Sequence, residues 1–313
     1  MEQPVKMNSK SGVNSIAPLI SSAVLIALFL MLSGTIEGYF EQNPNNFFAL
    51  PKVEKKKIAH MPKIEAEVAV VYDTESGKII FSKSSDKIMP LASLAKIMTA
   101  VVAMENHETD NVIKFTENGS KSTWKLSSFI ERMLMSSSNS AAAAIARMPL
   151  GEEDNNLNKN KNNFVDIMNA KAKELNLKTL HFRNPTGLDV SESIPGAEGS
   201  SEDVAKMIWY AANSYNEEFI VTQRSKAKFS SIEGKVIQVM NTNRVAKKIP
   251  LLLVSKTGLT DLAGGNLAIV FDAGINHPMV AVVMGSTESG RFNDIQKLVN
   301  ATSDYFASNI LND

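Results

Sequence analysis

The sequence predicts an α+β protein: one antiparallel sheet built from both ends of the folded region, flanked by helices, with a helical subdomain inserted in the middle. Two observations carry this. Extended apolar runs lie at residues 67–72 and 78–81 and then return only late, first as a short extended stretch at 238–240. Between them apolar residues recur at helical spacing over residues 125–135, 139–148, 164–175 and 201–214. Strands segregated from helices in this way favour α+β over an alternating arrangement.

The chain has 313 residues, with 33 Lys and Arg against 33 Asp and Glu, and is 44% hydrophobic. That is room for one large or two modest domains. The balanced charge gives no electrostatic case for a nucleic-acid partner. The chain has no cysteine, which removes thiol catalysis, disulfides, thiolate metal sites and a lipidated N-terminal cysteine. Its histidines (His60, His107, His181 and His277) never fall at metal-ligand spacing.

Four regions are expected. Residues 1–15 form a cytoplasmic N-terminus carrying Lys6 and Lys10, and residues 16–35 a membrane signal-anchor or a signal peptide. The apolar run within the latter gives roughly 25 Å of helix, near the lower limit for a span. No Ala-x-Ala cleavage site follows it, which favours the anchor. Residues 36–64, rich in Asn, Pro and Lys, read as a linker. Residues 65–313 are the catalytic domain.

Within that domain, Asp73-Thr74-Glu75-Ser76-Gly77 turns the first two strands into a hairpin. The next stretch, Pro90-Leu91-Ala92-Ser93-Leu94-Ala95-Lys96-Ile97-Met98-Thr99, predicts a helix starting near Ser93 and apolar on almost every face, hence buried. Residues at i and i+3 share a face, so Lys96 can bring its amine to the Ser93 hydroxyl, the arrangement of a serine nucleophile with a lysine base. A capping serine followed by a snorkelling lysine has the same spacing, so this signal is weak alone.

Two further elements change that. Ser136-Ser137-Ser138-Asn139-Ser140 lies at a junction of helical segments, where Ser137 can relay a proton and Asn139 can hold a substrate carbonyl; plain helix capping uses the same residues. Residues 251–256 form a strand that ends in Lys256-Thr257-Gly258, along which a peptide substrate can lie antiparallel. The remaining strands are expected at 267–271 and 279–284, around a turn at 274–277, and a last amphipathic helix at 292–307.

Ser-x-x-Lys, Ser-x-Asn and Lys-Thr-Gly, in this order, form the signature of penicillin-binding proteins and serine β-lactamases. With His181-Phe182-Arg183-Asn184-Pro185-Thr186-Gly187-Leu188 and Lys256-Thr257-Gly258-Leu259-Thr260, the chain resembles the D-alanyl-D-alanine carboxypeptidases, the low-molecular-mass penicillin-binding proteins of serine peptidase family S11. The likeness runs over about residues 66–308. It implies the serine β-lactamase and DD-peptidase fold, and attack by Ser93 on the penultimate D-Ala of a peptidoglycan stem peptide. It makes Lys96 the base, its pKa lowered by repulsion from Lys256. Ser137 and Lys256 serve as proton relay and Asn139 as substrate orienter. The Ser93 and Leu259 N–H groups form the oxyanion hole, beside Thr257 and Gly258. β-Lactams are expected as covalent inhibitors and no metal or organic cofactor is required. Recognition of the terminal carboxylate falls to Thr257 and Arg244, with Arg291 a weaker third because it is expected to cap or pair at the last helix.

Three departures qualify the likeness. Ser140 stands where relatives often carry Asp after the motif asparagine, and the loop at 151–163 is long. Many carboxypeptidases also continue into a β-rich domain and a C-terminal anchor, so the tether here is expected to be N-terminal. The truncated shape also occurs among DD-endopeptidases, which keeps cross-link cleavage as the alternative. A class A β-lactamase needs a glutamate four residues before an asparagine on a later loop. The position four before Asn176 is Ala172, and Glu152 with Asn156 lies too close to Asn139. A catalytically silent peptidoglycan- or β-lactam-binding module is disfavoured by intact Ser93, Lys96, Asn139 and Lys256.

Overall fold

The computed structural model describes residues 62–310 except 118, 150–163 and 275. The expected span, most of the linker and the 151–163 loop with Glu152 lie outside the described residues. Among those described, no helix is long and apolar enough to cross a membrane.

The first hairpin is β1 (Val68–Asp73) and β2 (Ile79–Lys83), followed by the short β3 (Met89–Pro90). A 3-10 turn at Ala92–Ala95 leads into α1 (Lys96–Asn106). A second hairpin, β4 (Val112–Glu117) and β5 (Ser120–Lys125), precedes α2 (Leu126–Ser136) and α3 (Asn139–Ile145). Then come α4 (Phe164–Glu174), β6 (His181–Phe182), β7 (Ala197–Gly199), α5 (Ser201–Ser214) and the single turn α6 (Asn216–Phe219). The chain closes with β8 (Lys226–Ser230), β9 (Val236–Met240), β10 (Leu252–Thr260), β11 (Gly264–Asp272), β12 (Pro278–Ser286) and α7 (Gly290–Ile310).

The main sheet runs β10-β11-β12-β1-β2. Its seam is β1 against β12, antiparallel from Val68 opposite Met284 to Asp73 opposite Met279, so the two ends of the domain close one sheet as the sequence predicts. Every residue of β1 is buried, which is why these strands read as continuous apolar runs rather than alternating ones. Ala69, Val71, Ile269, Ala281 and Val283 pack with Ile295, Leu298 and Val299 of α7. On this sheet's other side α5 meets β1, β11 and β12, and α1 packs against α5 in turn. The all-round apolar α1 is therefore the central helix: Lys96 through Met104 are all buried.

Two consequences position the site. β10 is an edge strand of the main sheet, so one row of its backbone groups is left unpaired by that sheet. Ser93 lies in the 3-10 turn before α1 rather than in the first turn of an α-helix, a correction to the expected start. The correction tightens the pairing, because residues three apart eclipse in a 3-10 turn. The hairpins β4–β5 and β8–β9 are largely new: of the two, only residues 238–240 were expected to be extended.

Candidate active site

The serine is presented by strained and tightly packed backbone. Ala92, immediately before it, has φ +48°, an uncommon value for a residue with a Cβ. The Ala92 carbonyl is approached so closely by Gly187 that a Cβ there would lie 1.8 Å from it; Gly187 also has φ +75°, so glycine alone fits. Asn266 Nδ2 donates to the Pro90 and Leu91 carbonyls at 2.9 and 3.1 Å, and Leu91 N–H donates to Ala197 O at 2.8 Å. The turn is thus held from β11, from β7 and from the Gly187 loop.

Lys96 is fully buried and bridges three groups: Ser93 Oγ at 2.8 Å, Asn139 Oδ1 at 2.7 Å and Thr186 O at 2.6 Å. Burial pushes its pKa down to about 7. Burial, rather than the expected repulsion from Lys256, is the leading cause, and the same holds for Lys256. That amine is 2% exposed and held well below its ordinary value by burial first, then by Lys96 and Arg291. Lys256 Nζ donates to Ser137 Oγ at 2.8 Å and to Thr257 O at 2.9 Å.

Ser137 is placed by the break between α2 and α3, where it takes the left-handed conformation at φ +57°. The next residue, Ser138, caps α3 by accepting from Ala141 N–H at 3.1 Å. Capping and site-building are therefore divided among neighbouring serines. Because Asn139 Oδ1 faces Lys96, its Nδ2 is the group left to orient a substrate carbonyl. Gly258 packs against the nucleophile turn, where a Cβ would fall 2.8 Å from Leu91 O. Leu259, next along the edge strand, is 45% exposed.

Arg244 lies exposed and beside an acidic side chain. Its side chain is 74% exposed, with Glu288 Oε1 at 3.5 Å. The same loop instead gives Thr242, whose Oγ1 accepts from Thr257 Oγ1 at 2.7 Å. Anchoring explains the difference. Asn241 Nδ2 is tied to Thr222 O and Arg224 O at 2.7 and 2.8 Å, and Thr242 N–H to Met135 O at 3.1 Å. Arg291 is also relocated: rather than capping its helix it is buried, with Nη1 donating to Gly258 O at 2.6 Å.

Sequence reasoning missed Thr186, Gly187, Thr242 and Asn266. The Asn184-Pro185-Thr186-Gly187 stretch was legible as a motif but gave no clue that the Thr186 carbonyl meets Lys96. A buried lysine near neutrality, hydrogen-bonded to a half-buried serine, can take the proton of that serine. Among the described residues no group of three or more His, Cys, Asp or Glu side chains could hold a metal.

Residues 55–128 and 113–288 match the family described as Peptidase S11, D-alanyl-D-alanine carboxypeptidase. The D-alanyl-D-alanine endopeptidase of Escherichia coli is 30% identical over 75% of this chain and 76% of its own length. The D-alanyl-D-alanine carboxypeptidase DacF of Bacillus subtilis is 28% identical over 82% of this chain and 66% of its own. Among solved structures, penicillin-binding protein D2 of Listeria monocytogenes, in its cefotaxime-bound form, superposes with a TM-score of 0.66 at 24% identity. That match covers 78% of this chain and 99% of the other, and shows the same fold. With the signature residues gathered around one buried lysine, this chain belongs to the D-alanyl-D-alanine carboxypeptidase family of serine peptidases, family S11.

Proposed function

We propose that the chain removes the terminal D-Ala from peptidoglycan stem peptides through an acyl-enzyme on Ser93. The observation that carries this is the set of partners around Lys96. Asn139 Oδ1 and Thr186 O can only accept hydrogen bonds, so they take both N–H groups of the neutral amine. The remaining lone pair then points to Ser93 Oγ–H, 2.8 Å away.

Lys96 accepts that proton as Ser93 Oγ bonds to the penultimate D-Ala carbonyl. The negative charge on that oxygen is met by the Ser93 and Leu259 N–H groups. As the C–N bond breaks, Ser137, held by Lys256, passes the proton taken up by Lys96 on to the leaving amine, so that Lys96 is neutral again and D-Ala departs. Water then takes the place of D-Ala and releases the shortened peptide. Thr257 receives the terminal carboxylate, its hydroxyl turning to the incoming oxygen from the Thr242 Oγ1 that accepts from it at rest.

Cross-link cleavage is the second reading. It is supported by the endopeptidase relative, 30% identical over 75% of this chain. Residues 16–35 would anchor the domain outside the cytoplasm, and retention with membranes after a high-salt wash tests that.

The chemistry is tested by mass spectrometry after penicillin treatment. One drug molecule should remain attached for minutes or longer in the native chain, be absent in Ser93→Ala and form far more slowly in Lys96→Ala. Rapid penicillin turnover with no adduct would sink the reading. Release of D-Ala from a pentapeptide, set against cleavage of cross-linked muropeptides, separates the two scissile bonds.

A further inference from the structure

Arg291 sits in a costly position. It is 5% exposed, its Nε has no hydrogen-bond partner, and it lies in the first turn of α7, where the helix dipole disfavours a cation. The nearest acidic neighbour that affects it, Glu288, is ion-paired with Arg244 instead. A buried guanidinium without a bonded carboxylate is not there for stability. Its hydrogen bond is directed: Nη1 meets Gly258 O at 2.6 Å.

That oxygen belongs to the same peptide group as Leu259 N–H. In a planar trans peptide the C=O and N–H point in opposite directions, so fixing one fixes the other. A cation on the oxygen also withdraws electron density and makes the N–H a stronger donor, as hydrogen bonds in series polarise one another. The β10–β11 ladder, with Gly258 opposite Asn266 and Leu259 opposite Gly265, already guides this peptide, and Arg291 adds a charged clamp at a glycine, which permits orientations that other residues resist.

We infer that Arg291 is a positioning residue for the oxyanion hole, holding and polarising the Gly258–Leu259 peptide so that Leu259 N–H meets the charged oxygen of the Ser93-bound transition state. This rests on the acyl-enzyme reading above. Deleting an oxyanion donor outright costs on the order of 10²–10³ in rate, so weakening one should cost about tenfold.

The test uses the full chain and two variants, Arg291→Gln and Arg291→Lys, acylated with penicillin carrying a 13C-labelled β-lactam carbonyl. Initial binding, acylation rate, thermal stability and the infrared band of the ester carbonyl are measured. Arg291→Gln should acylate about tenfold more slowly with initial binding within about twofold of native. Its ester band should move to higher wavenumber, because a less polarised C=O is stiffer. Arg291→Lys should restore part of both. If the native chain forms no ester, the acyl-enzyme reading fails and this inference goes with it. If native and Arg291→Gln ester bands coincide, the inference alone is overturned, whatever happens to stability. A variant Arg291→Gln too unstable to purify leaves Arg291→Lys to decide: a band at the native position with slowed acylation would refute a role in polarising the carbonyl.

Discussion

Acylation should depend on pH through Lys96. The amine is buried and its pKa is pushed down to about 7, so it is a base in the resting site only above that pH. Going from pH 6 to pH 8 takes the neutral fraction from about 9% to about 91%, a tenfold gain. Stopped-flow acylation with a fluorescent penicillin should therefore rise about tenfold over that interval and level off near pH 8. Lys96→Ala should lose roughly 10²–10⁴ in rate, and the pH step attributable to this amine with it. Lys256, a neighbouring amine also held well below its ordinary pKa by burial, is coupled to Lys96, so the observed midpoint belongs to the pair, and a Ser137→Ala control keeps Lys96 while breaking the second chain. A flat profile between pH 6 and 8, or a midpoint above 9, would mean that Lys96 rests as an ammonium and that another group takes the Ser93 proton.

The same pKa sets a stability slope. Lys96 titrates near 7 folded and near 10.5 unfolded, so between those values the unfolded chain binds the extra proton and stability rises with pH. In urea denaturation, the native chain should gain about 2–3 kcal/mol relative to Lys96→Met between pH 7.5 and 9.5, at roughly 1.4 kcal/mol per pH unit. Asn139→Asp keeps the shape but sets a carboxylate against the amine that Asn139 Oδ1 touches at 2.7 Å. It should raise the acylation midpoint by about one to three units, slow acylation at pH 7 and recover at pH 9–10. Thr242→Val leaves Thr257 Oγ1 without its partner and should cut kcat/KM roughly tenfold for a peptide with a free C-terminal carboxylate, whereas exposed Arg244→Ala should change it by less than about threefold. The reverse order would return carboxylate recognition to Arg244.

What could be read from the sequence was what is local. α5 was expected at Ser201–Ser214 and found there, because its apolar period is strong and Ser200 caps it by accepting from Asp203 N–H at 3.2 Å. Ser93 and Lys96 are three residues apart, so their meeting needed only a helical turn. The strands β3, β6 and β7 have two or three residues each, and become strands only through pairing with distant partners, as Met89 does with Gly199. The β4–β5 and β8–β9 hairpins are half exposed and full of Lys, Ser and Thr, so their alternation is faint. In the site, a backbone carbonyl such as Thr186 O carries no side-chain signature. Arg244 is named from its charge, whereas the contact of Thr242 with Thr257 depends on a loop anchored through Asn241, which no residue type announces.

Lys171 shows why the site is built from neutral partners. It is nearly as buried as the active-site lysines, yet its pKa is raised, because Glu105 and Glu174 bind it at 2.7 and 2.8 Å and their pull outweighs burial. Lys96, Lys256 and Arg291 instead have only hydroxyl, amide and backbone oxygens as hydrogen-bond partners. Such partners satisfy the N–H groups without supplying a negative charge. Burial is then left uncompensated, the two lysines are held down toward neutrality, and the fold carries that cost at rest. On the proposed mechanism the reaction itself makes an anion there, as a charged oxygen develops beside Gly258 and Leu259 and a carboxylate arrives at Thr257. A carboxylate built into the wall would stabilise the resting chain by filling that role first, so the electrostatic strain of the resting site and its preference for the transition state would have one origin.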